Sequence, residues 1–302
     1  MISHLESDLL SALLAHLHLR ARVFALPSVC GSWQIDSDDH PGPQFHLISR
    51  GGGYLVIEGE PDRALRAGDL CVFPRGSRHL VRSSPDLRGS GSWERPGFGL
   101  PYTSLICGEF EFEQGSPPGL LDALPDAIVI PAEQVDERFG ALLRLLAAEA
   151  AQVGSGSSMV LDRLADALFV MVLRHHIGHS ENKRGLLAAA ADARIGTALD
   201  GIHRDLGRSW TVAGLAQLAG MSRTAFSSRF SELMGTSPMA YLTRWRMHEA
   251  RRLFLEPRNS VARVSERLGY ETEAAFRRAY KRVTGNTPGR ARRRTAQPNA
   301  RL

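Results

Sequence analysis

Hydrophobic spacing divides the chain into stretches with different periods. Residues 1–20 place apolar side chains at helical intervals and predict a lead helix. From Val23 to about Phe112 the pattern shortens to that of strands. Runs such as Tyr54-Leu55-Val56-Ile57 and Leu70-Cys71-Val72-Phe73 alternate with Gly and Pro turns, the rhythm of a small antiparallel barrel or sandwich. A Gly-Ser-Pro-Pro-Gly stretch at 115–119 closes it. Helical spacing returns over about 133–152 and 157–178, split by Gly154-Ser155-Gly156-Ser157. Each of these helices is strongly apolar on one face (Phe139, Leu142, Leu143 and Leu146; Leu161, Leu164, Leu168, Met171 and Val172) and must pack on the β-rich part or on a second copy of the chain. Polar residues from His179 to Arg184 begin a linker, and the chain is helical from Ile195 onward.

The last third repeats itself. Phe226-x3-Phe230-x4-Gly235-x-Ser237-Pro238 returns fifty residues later as Phe276-x3-Tyr280-x4-Gly285-x-Thr287-Pro288. Ahead of each copy a short amphipathic helix ends in glycine, Val212 to Gly220 and Val261 to Gly269. Helix, glycine turn and second helix with aromatic anchors is the helix-turn-helix pattern, here in tandem. Ser222 and Thr272 stand where hydroxyls accept the orphan amides of the second helices, and Ser237-Pro238 and Thr287-Pro288 start the helices that follow. Aromatic residues at i and i+4 face inward. Arg223, Thr224, Ser227 and Ser228 are then left on the outer face of the first recognition helix, and Glu273, Ala274, Arg277, Arg278 and Lys281 on that of the second. Arg244 to Leu255 reads as one helix joining the copies. If it is rigid, the recognition helices lie about 34 Å apart, one turn of DNA.

Charge sharpens this picture. Residues 192–302 hold 21 Arg and Lys against 9 Asp and Glu, a net of +12, whereas residues 1–191 hold 16 against 23, a net of −7. A basic C-terminal third is the footprint of a phosphate-binding surface. Only Lys183 and Lys281 are lysines; that bias reflects codon usage, and arginine also suits bidentate phosphate contacts. No apolar run approaches the ~18–20 residues of a membrane span. The start carries Glu6 and Asp8 without a basic leader, so the expected compartment is the cytoplasm. Cys30, Cys71 and Cys107 are too few and too scattered for a disulfide framework or a zinc finger.

The basic region resembles the AraC/XylS family of bacterial transcriptional regulators over roughly residues 192–294. The resemblance rests on Leu215-Ala216-x3-Gly220-Met221-Ser222, Phe226-x2-Arg229-Phe230, Gly235-x2-Pro238-x2-Tyr241 and Gly269-Tyr270, together with the second repeat. It implies base contacts from Thr224, Ser227 and Ser228, and from Glu273, Ala274, Ala275 and Arg278. Of these Arg278 is suited to bridge guanine O6 and N7. The family often carries an aromatic-Arg pair soon after the last Pro, where this chain has Pro288-Gly289-Arg290-Ala291-Arg292. The final helix is therefore expected to be weak, with Arg290, Arg292, Arg293 and Arg294 as a phosphate-binding tail and 295–302 disordered.

The β-rich part is similar to the cupin barrel. Gly68-x5-Pro74-x-Gly76-x2-His79 fits the second cupin signature until Ser83 replaces its Asn; the first signature keeps His46 but has Ile48 at its second His position. A catalytic cupin holds its metal with about three or four N/O ligands. His46 and His79 alone leave two readings open, a weak regulatory metal site or two histidines facing the barrel interior. Within the cupin-type regulators, Cys-Gly-x-Trp (Cys30 to Trp33) and a late Cys-Gly (Cys107-Gly108) recur, and some members respond to oxidants through such cysteines. Cys30 and Cys107 are the candidate sensors, with a small buried hydrophobic role as the alternative; Cys71, in an apolar run, reads as structural. His175 and His179 have the spacing of a two-ligand clip but also lie near a helix C-terminus, where the dipole favours cations.

The expected fold is α+β in two domains. An N-terminal cupin-like β-barrel (1–115) with a helical hairpin and linker (116–185) precedes an all-α tandem helix-turn-helix domain (192–294). The resemblance implies a transcriptional regulator that activates through RNA polymerase and binds double-stranded DNA; the apolar hairpin at 133–178 suits a homodimer. No cofactor, no enzymatic activity and no membrane are expected, and the signal is an oxidant, a small molecule or a metal.

Overall fold

The computed structural model describes Leu10, Ser11, Leu14 and residues 19–39, 42–87, 102–112, 120–152, 154–179, 184–256 and 258–295 of the 302. The chain forms two compact units: Leu19–Glu113 with Leu124–Ser180, and Glu181–Leu302 with the short segments Met1–His18 and Gln114–Ala123.

The first unit is built on two antiparallel sheets. One holds β1 (Leu19–Ala25), β9 (Thr103–Phe112), β4 (Gln44–Arg50), β7 (Leu70–Phe73) and β10 (Ile128–Ile130) in that order, with β2 (Ser28–Val29) also on β9. The other runs β3 (Gln34–Asp36), β8 (Leu80–Arg82), β5 (Gly52–Val56) and β6 (Arg63–Arg66). Between them lies one core that includes Trp33, Ile48, Leu55, Leu65, Phe73, Val81 and Leu105. Alternate residues of the larger sheet face the other way, where Phe110 and Phe112 meet Phe169 of helix α2 (Ser157–His179), which pairs with α1 (Glu137–Ala151). Of the barrel or sandwich expected, the described residues form an open pair of sheets. Its edge strand β1 is covered by a helix instead of another strand: the outward amides of Ala21 and Val23 donate to the carboxylates of Asp166 (2.7 Å) and Asp162 (2.9 Å) on α2. A carboxylate one helical turn from the next matches amides two residues apart, so these two amides of the edge are satisfied.

Other departures from the sequence reading have local causes. The lead helix cannot reach residue 20, because Leu19 and Arg20 already pair with Phe112 and Glu111; most of residues 1–18 lie outside the described residues, as do 113–119 with the Gly-Ser-Pro-Pro-Gly stretch. The three residues of β10 are too few to carry a period, and only pairing with Leu70, Cys71 and Val72 defines them as a strand.

The second unit is helical: α3 (Leu186–Ala191), α4 (Ala193–Arg204), α5 (Val212–Leu218), α6 (Arg223–Met234), α7 (Pro238–Leu253), α8 (Val261–Arg267), α9 (Glu273–Thr284) and α10 (Pro288–Thr295). Helix α3 falls where a linker is expected; Leu186, Leu187 and Ala189 are buried, and the Gly185 amide ahead of it donates to the Leu233 carbonyl of α6. The last helix forms over eight residues, Pro288 supplying its first turn. Helix α7 serves both repeats. Tyr241, Leu242 and Trp245 pack with Phe226, Phe230 and His203 on one side, while Met247, Ala250 and Leu253 join Val264, Phe276 and Tyr280 on the other. Arg246 is buried between them and donates from Nε to the Leu206 carbonyl (2.8 Å) and from Nη2 to the Arg208 carbonyl (2.9 Å).

Both helix-turn-helix turns use a left-handed glycine, Gly220 at φ 62° and Gly269 at φ 72°. Their surroundings differ. A Cβ on Gly220 meets open space, whereas one on Gly269 would run into the Gly207 carbonyl and the Arg246 guanidinium. Left-handed backbone costs an L-residue about 1–2 kcal/mol. Gly220→Ala is therefore expected to destabilise by about that amount, and Gly269→Ala by roughly 3 kcal/mol or more, since backbone must also move. Thermal unfolding of the two variants checks this, and equal losses would refute it.

Candidate functional site

Each recognition helix is positioned by its cap and its buried aromatic pair. Ser222 Oγ accepts from the Ala225 amide (3.2 Å) and Thr272 Oγ1 from the Ala275 amide (3.2 Å). Both helices end on a left-handed glycine, Gly235 or Gly285. The first helices of the motifs start 49 residues apart, at Val212 and Val261, but the recognition helices start 50 apart, at Arg223 and Glu273, so the second turn is one residue longer. With Phe226, Phe230, Phe276, Ala279 and Tyr280 buried, the nine outward residues named above fall on solvent-facing surfaces. Arg223, Thr224, Ser228, Ala274, Arg277, Arg278 and Lys281 are exposed; Ser227, Glu273 and Ala275 are half-buried.

Ion pairing separates these arginines. Arg277 donates from Nε to Glu273 (2.6 Å), and Arg229 is shared between Asp192 and Glu232. Arg223, Arg278 and Lys281 have no acidic partner among the described residues, which leaves their donors available for phosphate or base edges. Sequence reasoning missed a second unpaired set, Arg244 of α7 and Arg282 of α9, which border a cleft of about 570 Å³ with Met239, Thr243 and Val283. Only the packing of α7 on α9 brings them together.

The sensor candidates divide as well. His46 of β4 and His79 of the β7–β8 loop meet between the sheets with Nε2 to Nε2 at 2.8 Å. Two imidazoles bound to one tetrahedral ion at ~2.0–2.1 Å would stand roughly 3.3 Å apart, so this spacing is that of a hydrogen bond. No group of three or more His, Cys, Asp or Glu is placed to hold a metal ion among the described residues. On its other side His46 Nδ1 lies 3.1 Å from Cys107 Sγ. His79 Nδ1 contacts the Ser77 carbonyl at 2.7 Å, its ring stacks on Phe73 at 3.4 Å, and its amide donates to Ser37 Oγ. Burial pushes the His46 pKa down to about 3, with His79 adding to the effect, and burial also lowers His79. The same burial pushes the Cys107 thiol up to about 12, and Cys71 likewise. A thiolate poised beside positive charge is therefore not what Cys107 presents; it is a neutral thiol against a neutral imidazole.

Cys30 and Cys107 are not brought together. Val29 pairs with Thr103, which puts Cys30 beside the start of β9, four to five residues from Cys107 or roughly 15 Å along the strand. That exceeds disulfide reach. At the end of α2, His175 and His179 stack at 4.0 Å and His179 Nδ1 bonds the His175 carbonyl, which uses the ring as a cap instead of a metal clip. Burial lowers the pKa of His175 and His176, against the expected cation.

Family models match both units: a cupin model over residues 8–178 and a helix-turn-helix domain model over residues 215–294. A putative AraC-like transcription regulator of Streptomyces lividans is 32% identical over 303 residues, covering 96% of this chain and 98% of its own. The chain belongs to the AraC-like transcription regulators. The regulator is also 25% identical to the RCS-specific HTH-type transcriptional activator RclR of Escherichia coli K12, over 84% of this chain and 85% of that one. Among solved structures, ToxT of Vibrio cholerae O395 is similar at 10% identity and a TM-score of 0.39, over 93% of this chain and 99% of that one.

Two measurements follow from this geometry. Arg278→Ala is expected to cost about 1–3 kcal/mol of affinity and to relax specificity at one base pair. Arg277→Ala, already paired to Glu273, should cost less; equal losses in titrations at one salt concentration would contradict the assignment. In the sheet unit, His46 stays neutral in the fold but titrates near 6.5 once unfolded, so the unfolded chain binds more protons between pH 6.5 and about 3. Stability then falls as pH drops through that window, by about 1.4 kcal/mol per unit at most. Urea unfolding should show the regulator losing about 1.6 kcal/mol more than His46→Gln between pH 6.5 and 5. A variant with the same pH slope would remove His46 from the account.

Proposed function

We propose that the regulator binds double-stranded DNA in a sequence-specific manner, each recognition helix entering one of two successive major grooves. The observation that carries this is the pair of capped helices with Thr224, Ser227, Ser228 and Arg278 on their open faces, in a unit of strong positive charge. Arg223, Arg277, Lys281 and the arginines of α10 hold the backbone, while Glu273, Ala274 and Ala275 shape the second contact. The reading extends to transcriptional activation, which the name of the RclR relative supports, acting through RNA polymerase in the cytoplasm. It also includes a homodimer formed through the helical hairpin. There Leu145, Met159 and Val160 are 53%, 60% and 42% exposed, an apolar surface suited to a second copy.

The signal in this reading is thiol chemistry at Cys107, with Cys30 as a separate, more accessible thiol. The His46–Cys107 contact favours it over a metal effector, because both imidazoles are already committed to hydrogen bonds. Footprinting on DNA upstream of the regulator's own gene, reduced and oxidised, at stated salt, tests the proposal. Protection of two adjacent major grooves that changes on oxidation is the expected result. Protection indifferent to oxidant would replace the thiol signal with a small molecule, and no specific protection would overturn the DNA-reading assignment.

A further inference from the structure

The contacts around His46 fix the direction of every proton in the cluster. A carbonyl only accepts, so the 2.7 Å contact from His79 Nδ1 to Ser77 O puts a proton on Nδ1. His79 is held neutral by burial, so its Nε2 is bare and accepts from His46 Nε2 at 2.8 Å. His46 has then spent its one proton on Nε2, leaving Nδ1 to accept from the Cys107 thiol at 3.1 Å. A single backbone oxygen thus orders the chain Cys107 S–H to His46, His46 N–H to His79, His79 N–H to Ser77. Stacking on Phe73 and the Ser37 hydroxyl at the His79 amide hold the end of the chain in place.

We propose that His46 and His79 form a proton relay for Cys107, in which His46 takes the thiol proton and His79 receives it as the thiol reacts with a small uncharged oxidant of the form HO–X, a peroxide or a hypohalous acid. This rests on the thiol-sensing reading and deepens it. With a peroxide, sulfur attacks oxygen, the O–O bond breaks and the hydroxide or alkoxide X⁻ leaves. With a hypohalous acid, sulfur takes the halogen as hydroxide leaves, and water then displaces halide X⁻ from sulfur to give the same sulfenic acid. The Cys107 proton passes to His46 Nδ1 while the His46 Nε2 proton passes to His79. Sulfur is oxidised by two electrons, HO–X is reduced, and the net reaction is Cys–SH + HO–X → Cys–SOH + HX once His79 gives up its proton. The relay moves the positive charge from His46 to the less enclosed His79, towards Asp36. Proton removal concerted with attack is needed because burial makes a free thiolate costly. Cys107 is 1% exposed, which excludes anions and bulky disulfides and selects small neutral reagents. Cys71 cannot resolve the product. It lies opposite His46 on β7 while Cys107 lies opposite on β9, a separation of about 9.6 Å across two strand spacings.

The test uses the full-length regulator with hydrogen peroxide and hypochlorous acid in separate arms, trapping Cys107 sulfenic acid with dimedone for mass spectrometry. His79→Gln retains an acceptor for His46, whereas His79→Leu removes it; His46→Leu removes the base. The wild type and His79→Gln should react within a few-fold of each other, and the two leucine variants about 100-fold more slowly, with Cys30 as an internal control. If folded His79→Leu is oxidised at Cys107 as fast as wild type, the relay is wrong and the thiol reading survives. If wild-type Cys107 is not oxidised while Cys30 is, both fall. Because the leucine variants can unfold, histidine ¹⁵N spectra of the wild type give an independent check. His79 protonated on Nδ1 and His46 on Nε2 support the relay, and the opposite tautomers overturn it.

Discussion

The DNA-binding unit depends on one helix being shared. Helix α7 gives Tyr241, Leu242 and Trp245 to the first repeat and Met247, Ala250 and Leu253 to the second, so that every residue from Trp245 to Ala250 is buried. A helix is the stiffest connection a chain can make, and at 1.5 Å per residue its sixteen residues set the offset between the two cores. Arg246 adds a lateral tie: its guanidinium bonds the Leu206 and Arg208 carbonyls and lies over Tyr270, 5.4 Å from the ring centre. Burying a guanidinium is tolerable only because backbone carbonyls receive its protons. Gly269 is required beside it because no side chain fits between that guanidinium and Gly207.

The sheet unit is organised around a different constraint, the cost of polar groups in a dry core. His46 and Cys107 sit among Trp33, Ile48, Phe73 and Leu105, and each polar atom of the cluster is committed to another. Such a network is neutral at rest and specific in geometry. The outer edge is handled by the same rule, with Asp162 and Asp166 accepting the free amides of β1. Between the two, β9 carries Cys107 and pairs with β1 at a register shift between Val23 and Ala25, adjoining the residue whose amide Asp162 holds. Phe169 packs its ring at a steep angle against Phe110 and Phe112 of that strand, so the helical hairpin is anchored to the strand that bears the thiol.

Local chemistry was legible wherever it repeats or caps. The hydroxyl-Pro starts, the aromatic pairs at i and i+4 and the left-handed glycines all act through neighbours in sequence, and the structure places them as the residue pattern requires. The nine outward residues of the recognition helices followed from the same periodicity. Between barrel and sandwich the pattern could not choose, because whether two edge strands meet depends on residues far apart in the chain; here Asp162 and Asp166 meet Ala21 and Val23, about 140 positions away.

From the amino-acid sequence alone came the two-part architecture, the tandem helix-turn-helix, the basic surface and the histidines and cysteines worth attention, because each depends on periodicity, composition or short spacing. Tertiary structure decided the rest. It showed which arginines are spent on carboxylates and which are open, that Arg246 is internal, and that Cys107 meets His46 while Cys30 does not. Those outcomes depend on distances between side chains many residues apart, and on how much water the core admits, which no local pattern records.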